Sequence, residues 1–150
     1  MRGQAVEDDR IVSIDLRLPA YLPEDYLPGE IERLKLYKRA LRASPEEGKK
    51  ILEELERLSG PAPQPVKNLF EMLSLRYEAR RARVDSIVEQ EKAILIAFRP
   101  DLPPDPAAPA RWLKAFGARV TFIPSSEGDV VRLALDGRPA AQAVREFLAA

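Results

Sequence analysis

Leu18-Pro-Ala-Tyr-Leu-Pro-Glu-Asp-Tyr-Leu-Pro28, continued by Gly29-Glu-Ile-Glu-Arg-Leu-Lys-Leu-Tyr-Lys-Arg-Ala-Leu-Arg-Ala43, carries the chain from an alternating strand into an amphipathic helix. Pro19, Pro23 and Pro28 each hold φ near −65° and bias the residue before them toward extended backbone, so the crossing is one defined path rather than a helix. Tyr21, Leu22, Tyr26 and Leu27 supply that path with apolar anchors, which a solvated linker would not need. On its N-terminal side Val12, Ile14, Leu16 and Leu18 alternate with Ser13, Asp15 and Arg17, the period of a strand with one face on a core.

On its C-terminal side Ile31, Leu34, Tyr37 and Leu41 fall at helical spacing, Leu36 and Ala40 widen the apolar face, and Glu32, Lys35, Arg39 and Arg42 collect opposite. Ser44-Pro45-Glu46-Glu47 then closes this helix and opens the next, with Ser44 as cap, Pro45 in the first helical position and Glu47 at the capping-box position. The second helix is predicted to turn Ile51, Leu52, Leu55 and Leu58 inward and to end at Gly60-Pro61. A third is predicted from Pro65 through Val66, Leu69, Phe70, Leu73 and Tyr77 to about Arg83.

Beyond Val84 the period changes. Ser86 to Glu89 and Ala93 to Phe98 read as a hairpin over Gln90-Glu91-Lys92, its second arm apolar enough for burial on both faces. Arg99 to Pro109 holds five prolines and no period, so it is a stiff loop. A short helix follows with Trp112, Leu113 and Phe116 inward, then a second hairpin of Arg119 to Pro124 with Val130 to Leu135, then a last helix from Pro139 to Leu148 after the Asp136-Gly137 turn. The order β-α-α-α-β-β-α-β-β-α defines an α+β fold, helices packed on a mainly antiparallel sheet. Residues 1–10 are expected to be a flexible lead and 11–150 a single domain, with a division near 99–109 as the alternative.

Composition limits the chemistry. The chain has 150 residues, 45% apolar and 32% charged, enough for one hydrophobic core. Lys and Arg together number 24, as do Asp and Glu, so the chain as a whole has no polyelectrolyte pull toward nucleic acid or anionic membrane, and any such contact must be a local patch. With neither Cys nor His there is no disulfide, thiolate nucleophile, thiolate or imidazole metal ligand, or imidazole base. The seven glycines form neither a G-x-G-x-x-G nor a G-x-x-x-x-G-K pattern, so no phosphate loop is expected. The acidic pairs lack the spacing of a calcium loop. We therefore expect no catalytic residues, no cofactor and no metal. The longest apolar run, Ala93 to Phe98, is too short to span a bilayer, and we expect a cytoplasmic location.

Two charged patches remain. Arg76, Arg80 and Arg83 recur at i, i+4, i+7 along the third predicted helix. They either complement the helix dipole, worth about 0.3–1 kcal/mol at a surface, or contact phosphate or an acidic partner. Glu53, Glu54 and Arg57 form an acid-rich rim before Gly60, which on physics alone is a solvated helix face.

The run "LPAYLPEDYLP…ERLKLYKRAL", with Tyr37-Lys38-Arg39 and Gly60-Pro61-x-Pro63 in register, resembles the start of the C-terminal domain of the bacterial transcription-repair coupling factor family. In that family the second helix ends in a Glu-Leu-x-Asp-Arg-Phe-Gly segment followed by Pro-x-Pro. Glu54, Leu55, Gly60, Pro63 and Pro65 match, whereas Arg57 stands in place of Asp and Leu58-Ser59 in place of Arg-Phe. The resemblance implies a non-catalytic regulatory domain of a DNA translocase that removes stalled RNA polymerase and recruits excision repair. It implies packing on the N-terminal UvrB-like module of the same polypeptide through the rim at Glu53, Glu54 and Arg57, which masks the surface for UvrA. UvrA, RNA polymerase and DNA would then be reached only through the full-length protein, whose ATPase motifs lie outside this chain. The alternative is a DNA- or polymerase-contacting module that uses Arg76, Arg80 and Arg83.

Overall fold

The structure, a computed structural model, describes residues 12–150; the lead expected over residues 1–10 lies outside the described residues. Leu18–Tyr77 forms one compact unit, and the described residues 12–17 form another with Glu78–Ala150.

The first unit is helical. It contains α1 (Glu30–Leu41), α2 (Pro45–Ser59) and the greater part of α3 (Gln64–Arg81). Its core is Leu55, Ala62 and Val66, against which Leu22, Tyr26, Leu27, Leu36, Leu52 and Phe70 pack. Burying a side chain such as Leu55 or Val66 contributes about 1.5–3 kcal/mol each. The proline crossing is thus fastened as expected at Leu22, Tyr26 and Leu27, and polar bonds complete the attachment. The Tyr26 hydroxyl donates to the Gly60 carbonyl at 2.6 Å, and the Asn68 amide donates to the Pro19 carbonyl at 2.8 Å while accepting from Gln64 at 2.9 Å. Tyr21 departs from expectation: its side chain is exposed, and it holds the crossing through its backbone N–H, which donates to the Pro65 carbonyl at 3.2 Å.

The inward face of α1 also differs from the expected one. Ala40 is buried and Arg33, Leu36 and Tyr37 are half-buried, whereas Ile31 (64% exposed), Leu34 and Leu41 face outward. At 100° per residue, these three lie roughly 90° or more around the helix from the Leu36–Ala40 side, so α1 carries two apolar faces and packing uses one. Helix α2 opens with the full capping box: the Glu47 N–H donates to Ser44 Oγ and the Ser44 N–H donates to Glu47 Oε1. It closes at Gly60, whose φ of 90° suits a residue without Cβ. Ile51 and Leu55 are buried as expected, but Leu58 is 79% exposed. It shares Ile51's angle yet sits about 10 Å further along the axis, beyond the reach of the core.

The second unit is built on a five-stranded sheet in the order β1-β2-β3-β5-β4. Its strands are β1 (Ser13–Asp15), β2 (Val84–Gln90), β3 (Ala93–Phe98), β4 (Val120–Ile123) and β5 (Val130–Ala134). Strand β1 runs parallel to β2, with Ile14 opposite Ile87; the other pairings are antiparallel. Central β3 buries Ala93, Ile94, Ile96 and Phe98, as its apolar run predicts. Helices α4 (Ala108–Phe116) and α5 (Ala140–Ala149) complete the unit, with Trp112 stacked on Phe147 at 4.8 Å and Phe98 5.8 Å from Trp112. Leu113, expected inward, is exposed because α4 turns only Ala108 and Trp112 fully into the core. The α+β class, the order of elements and the mainly antiparallel sheet are those read from the sequence.

Candidate functional site

The capping box at Ser44 and Glu47 fixes where α2 begins, and hence which way its later turns point. With Ile51 and Leu55 committed to the core, Glu53, Arg57 and Leu58 are left exposed and Glu54 half-exposed. Glu53 and Arg57 are four residues apart, as are Glu54 and Leu58, so each pair shares a strip of the helix surface. The Glu54 carboxylate accepts a hydrogen bond from Arg39 of α1 at 2.9 Å, with side chains 46% and 56% exposed respectively. Glu56 turns the other way: its carboxylate accepts from the Ala62 N–H at 2.9 Å. Burial, and then the Glu56 charge, push the Tyr26 hydroxyl above its ordinary pKa, which keeps it protonated as the donor to Gly60. The structure therefore brings Glu53, Glu54 and Arg57 together on one outward surface and adds Arg39 and Leu58 to it. Sequence reasoning assigned Leu58 to the core and Arg39 to a solvated face. The antiparallel helix hairpin implied by the short Arg42–Ser44 connection was the signal that could have paired Arg39 with α2.

The arginine stripe does not survive as one helical face. Helix α3 ends at Arg81, and Arg83 lies beyond it with φ 68°, in the turn that leads into β2. This left-handed residue ends the helix, so the i+7 relation to Arg76 does not apply at Arg83. Arg83 donates to the Pro103 carbonyl at 3.1 Å, while Arg76 and Arg80 are half-buried on α3.

Among the described residues, no cluster of three or more Asp or Glu side chains is placed to hold a metal ion, and no helix is long and apolar enough to cross a membrane.

The family model for the TRCF domain matches residues 16–108, more than half of the chain. The chain belongs to the TRCF domain family. The transcription-repair-coupling factor of Escherichia coli K12 is 33% identical over 100 residues, 65% of this chain and 9% of that protein. That of Borreliella burgdorferi is 26% identical over 98 residues, with the same coverage of 65% and 9%. That of Myxococcus xanthus is 34% identical over 85 residues, 56% of this chain and 7% of the other. The chain thus spans less than a tenth of the length of these curated relatives. The crystal structure of a C-terminal domain of transcription-repair coupling factor superposes with a TM-score of 0.78 at 16% identity, covering 92% of this chain and 88% of that one. The TRCF match runs from Leu16 into the first residue of α4 and so takes in both surfaces described above, while the superposition, at 92% of the chain, extends beyond it.

Proposed function

We propose that this TRCF domain is a non-catalytic regulatory module of a DNA-translocating transcription-repair coupling factor acting in transcription-coupled nucleotide excision repair in the cytoplasm. It packs on the N-terminal UvrB-like module of the same polypeptide, covers the surface through which that module meets UvrA, and restrains the translocase until RNA polymerase is engaged. ATP hydrolysis and the main grip on DNA belong to other parts of the full-length protein.

The observation that carries this reading is the outward surface of α2 with Glu53, Glu54 and Arg57, where the Arg39–Glu54 pair is open to water on both sides. An exposed ion pair contributes only about 0–1 kcal/mol to folding, so either partner can be exchanged for a charge on another module at little cost to the fold. Such contacts set register and association rate more than affinity, which suits a cover that must open.

The test mixes this chain with a separately produced N-terminal UvrB-like module. Association is expected at low salt, weakened by added salt and by Glu54→Lys, while the thermal melt of the variant stays within about 0.5 kcal/mol of the parent. Failure to associate at low salt and high concentration would overturn the proposal.

A further inference from the structure

Three arginines from separate elements open onto one groove of about 350 Å³ in the sheet-bearing unit. Arg81 is the last residue of α3, Arg83 occupies the left-handed turn after it, and Arg111 belongs to α4. Complementing the helix dipole accounts for a cation at the end of α3. It does not account for Arg111, which arrives from a different helix to line the same space. Arg83 is held in a backbone conformation that non-glycine residues rarely adopt, with one guanidinium N–H donated to the Pro103 carbonyl. Asp105 is the one carboxylate side chain lining the groove, and it meets Arg111 at 3.6 Å with both side chains about half-exposed or more, a loose pair that a stronger anion can displace.

Among the lining side chains three arginines stand against one carboxylate, a positive balance on a chain whose overall charge is zero. All three cations are arginine, whose planar fork donates hydrogen bonds to phosphate oxygens in pairs. Pro104 borders the groove beside the guanidiniums, whereas Phe98 and Trp112, 3% and 6% exposed, are buried beneath it. Its volume falls at the small end of ligand sites, roughly 300–1,000 Å³. We infer that this groove binds a phosphate group, held by Arg81, Arg83 and Arg111. A nucleic-acid strand and a free nucleotide or phosphate carry the same chemistry, and the competitors below distinguish these sources. This site does not depend on the regulatory reading, and it shares only Arg83 with the Arg76, Arg80, Arg83 set expected from the sequence.

The experiment titrates the full chain into a fluorescently labelled single-stranded oligonucleotide at about 50 mM salt and reads anisotropy, with a mononucleotide and inorganic phosphate as competitors. Saturable binding is expected, with log K falling against log salt at a slope of about −0.7 for the one phosphate neutralised on a single strand. Arg83→Gly should weaken binding about tenfold without lowering the melting temperature, because glycine accepts the left-handed backbone. Arg111→Ala should weaken it similarly, while Arg76→Ala, outside the groove, leaves it unchanged. Competition by the mononucleotide assigns the site to free nucleotide; strand binding that the mononucleotide cannot displace assigns it to the strand. No binding at this salt overturns the inference, as does binding indifferent to Arg83→Gly and Arg111→Ala.

Discussion

Gly128 and Gly48 should respond to the same substitution with opposite signs. Gly128 is buried in the loop between β4 and β5 with φ 115°, and a Cβ there would be driven into the Phe98 carbonyl, lying 3.0 Å from its carbon and 3.3 Å from Pro100 Cδ. The obstacle is the end of the central strand β3, which cannot swing aside like a flexible side chain, so the loop must lift away. Lifting it strains the hydrogen bond from the Phe98 N–H to the Asp129 carbonyl, now 2.9 Å. The unfavourable φ costs about 1–3 kcal/mol and the lost bond about 1 kcal/mol, so Gly128→Ala should destabilise by about 2–4 kcal/mol. For a chain of this size that lowers the melting temperature by about 6–12 °C. Gly48 lies in α2 with nothing within 4 Å of its would-be Cβ, and Gly48→Ala should stabilise by about 0.5–1 kcal/mol. Urea and thermal unfolding, followed by circular dichroism and by Trp112 fluorescence, measure both. A Gly128→Ala variant within 0.5 kcal/mol of the parent, or shifts of the same sign at the two sites, would refute the argument from close approach.

Tyr26→Phe should cost about 0.5–1.5 kcal/mol by removing the donor to the Gly60 carbonyl. Because the folded-state pKa of Tyr26 is raised, its contribution is fully present below the ordinary tyrosine value near 10 and is lost as pH climbs through the higher folded value. The parent should therefore lose stability at alkaline pH more steeply than the Phe variant; parallel stability–pH curves would contradict this. Leu55→Ala should destabilise by about 2–5 kcal/mol, whereas Leu58→Ala, at a leucine in the same helix, should stay within about 0.5 kcal/mol. Equal losses in urea unfolding would mean that Leu58 is packed after all.

The elements that sequence reasoning placed well are those whose signals are local and redundant. The capping box at Ser44 and Glu47, the Gly60 terminus, the two hairpins and the apolar run of β3 each specify a boundary or a period through their own residues. What could not be read was assembly. Strand β1 shows a clean alternation, but nothing in it says that it pairs parallel to β2, about seventy residues later, rather than with a neighbour in sequence. Arg83 reads as a continuation of α3 because arginine is a good helix former; only the need to turn into β2 at Val84 places it in the left-handed region. The groove lined by Arg81, Arg83 and Arg111 is invisible for the same reason, since its third member comes from a helix on the far side of a hairpin and a proline-rich loop.

Helix α1 shows most plainly why the candidate surface was only half legible. Its apolar residues fall into two sets, Leu36, Tyr37 and Ala40 on one side and Ile31, Leu34 and Leu41 on another, and a single wide stripe drawn through both satisfies the helical period. The choice between them is made by the proline crossing: Leu22, Tyr26 and Leu27 pack on the same core as Leu36, and Arg33 is drawn to the Leu27 carbonyl at 2.9 Å. Once that side is engaged, Arg39 is left outward, where it meets Glu54. The charged rim of α2 and its partner on α1 thus follow from how the crossing packs. A substitution that loosens the crossing should therefore disturb association through Glu54 even though it lies outside the rim. Leu22→Ala tests this: weaker binding to the N-terminal module is expected at temperatures where the domain is still folded, and binding equal to that of the parent would show that the rim is positioned independently of the crossing.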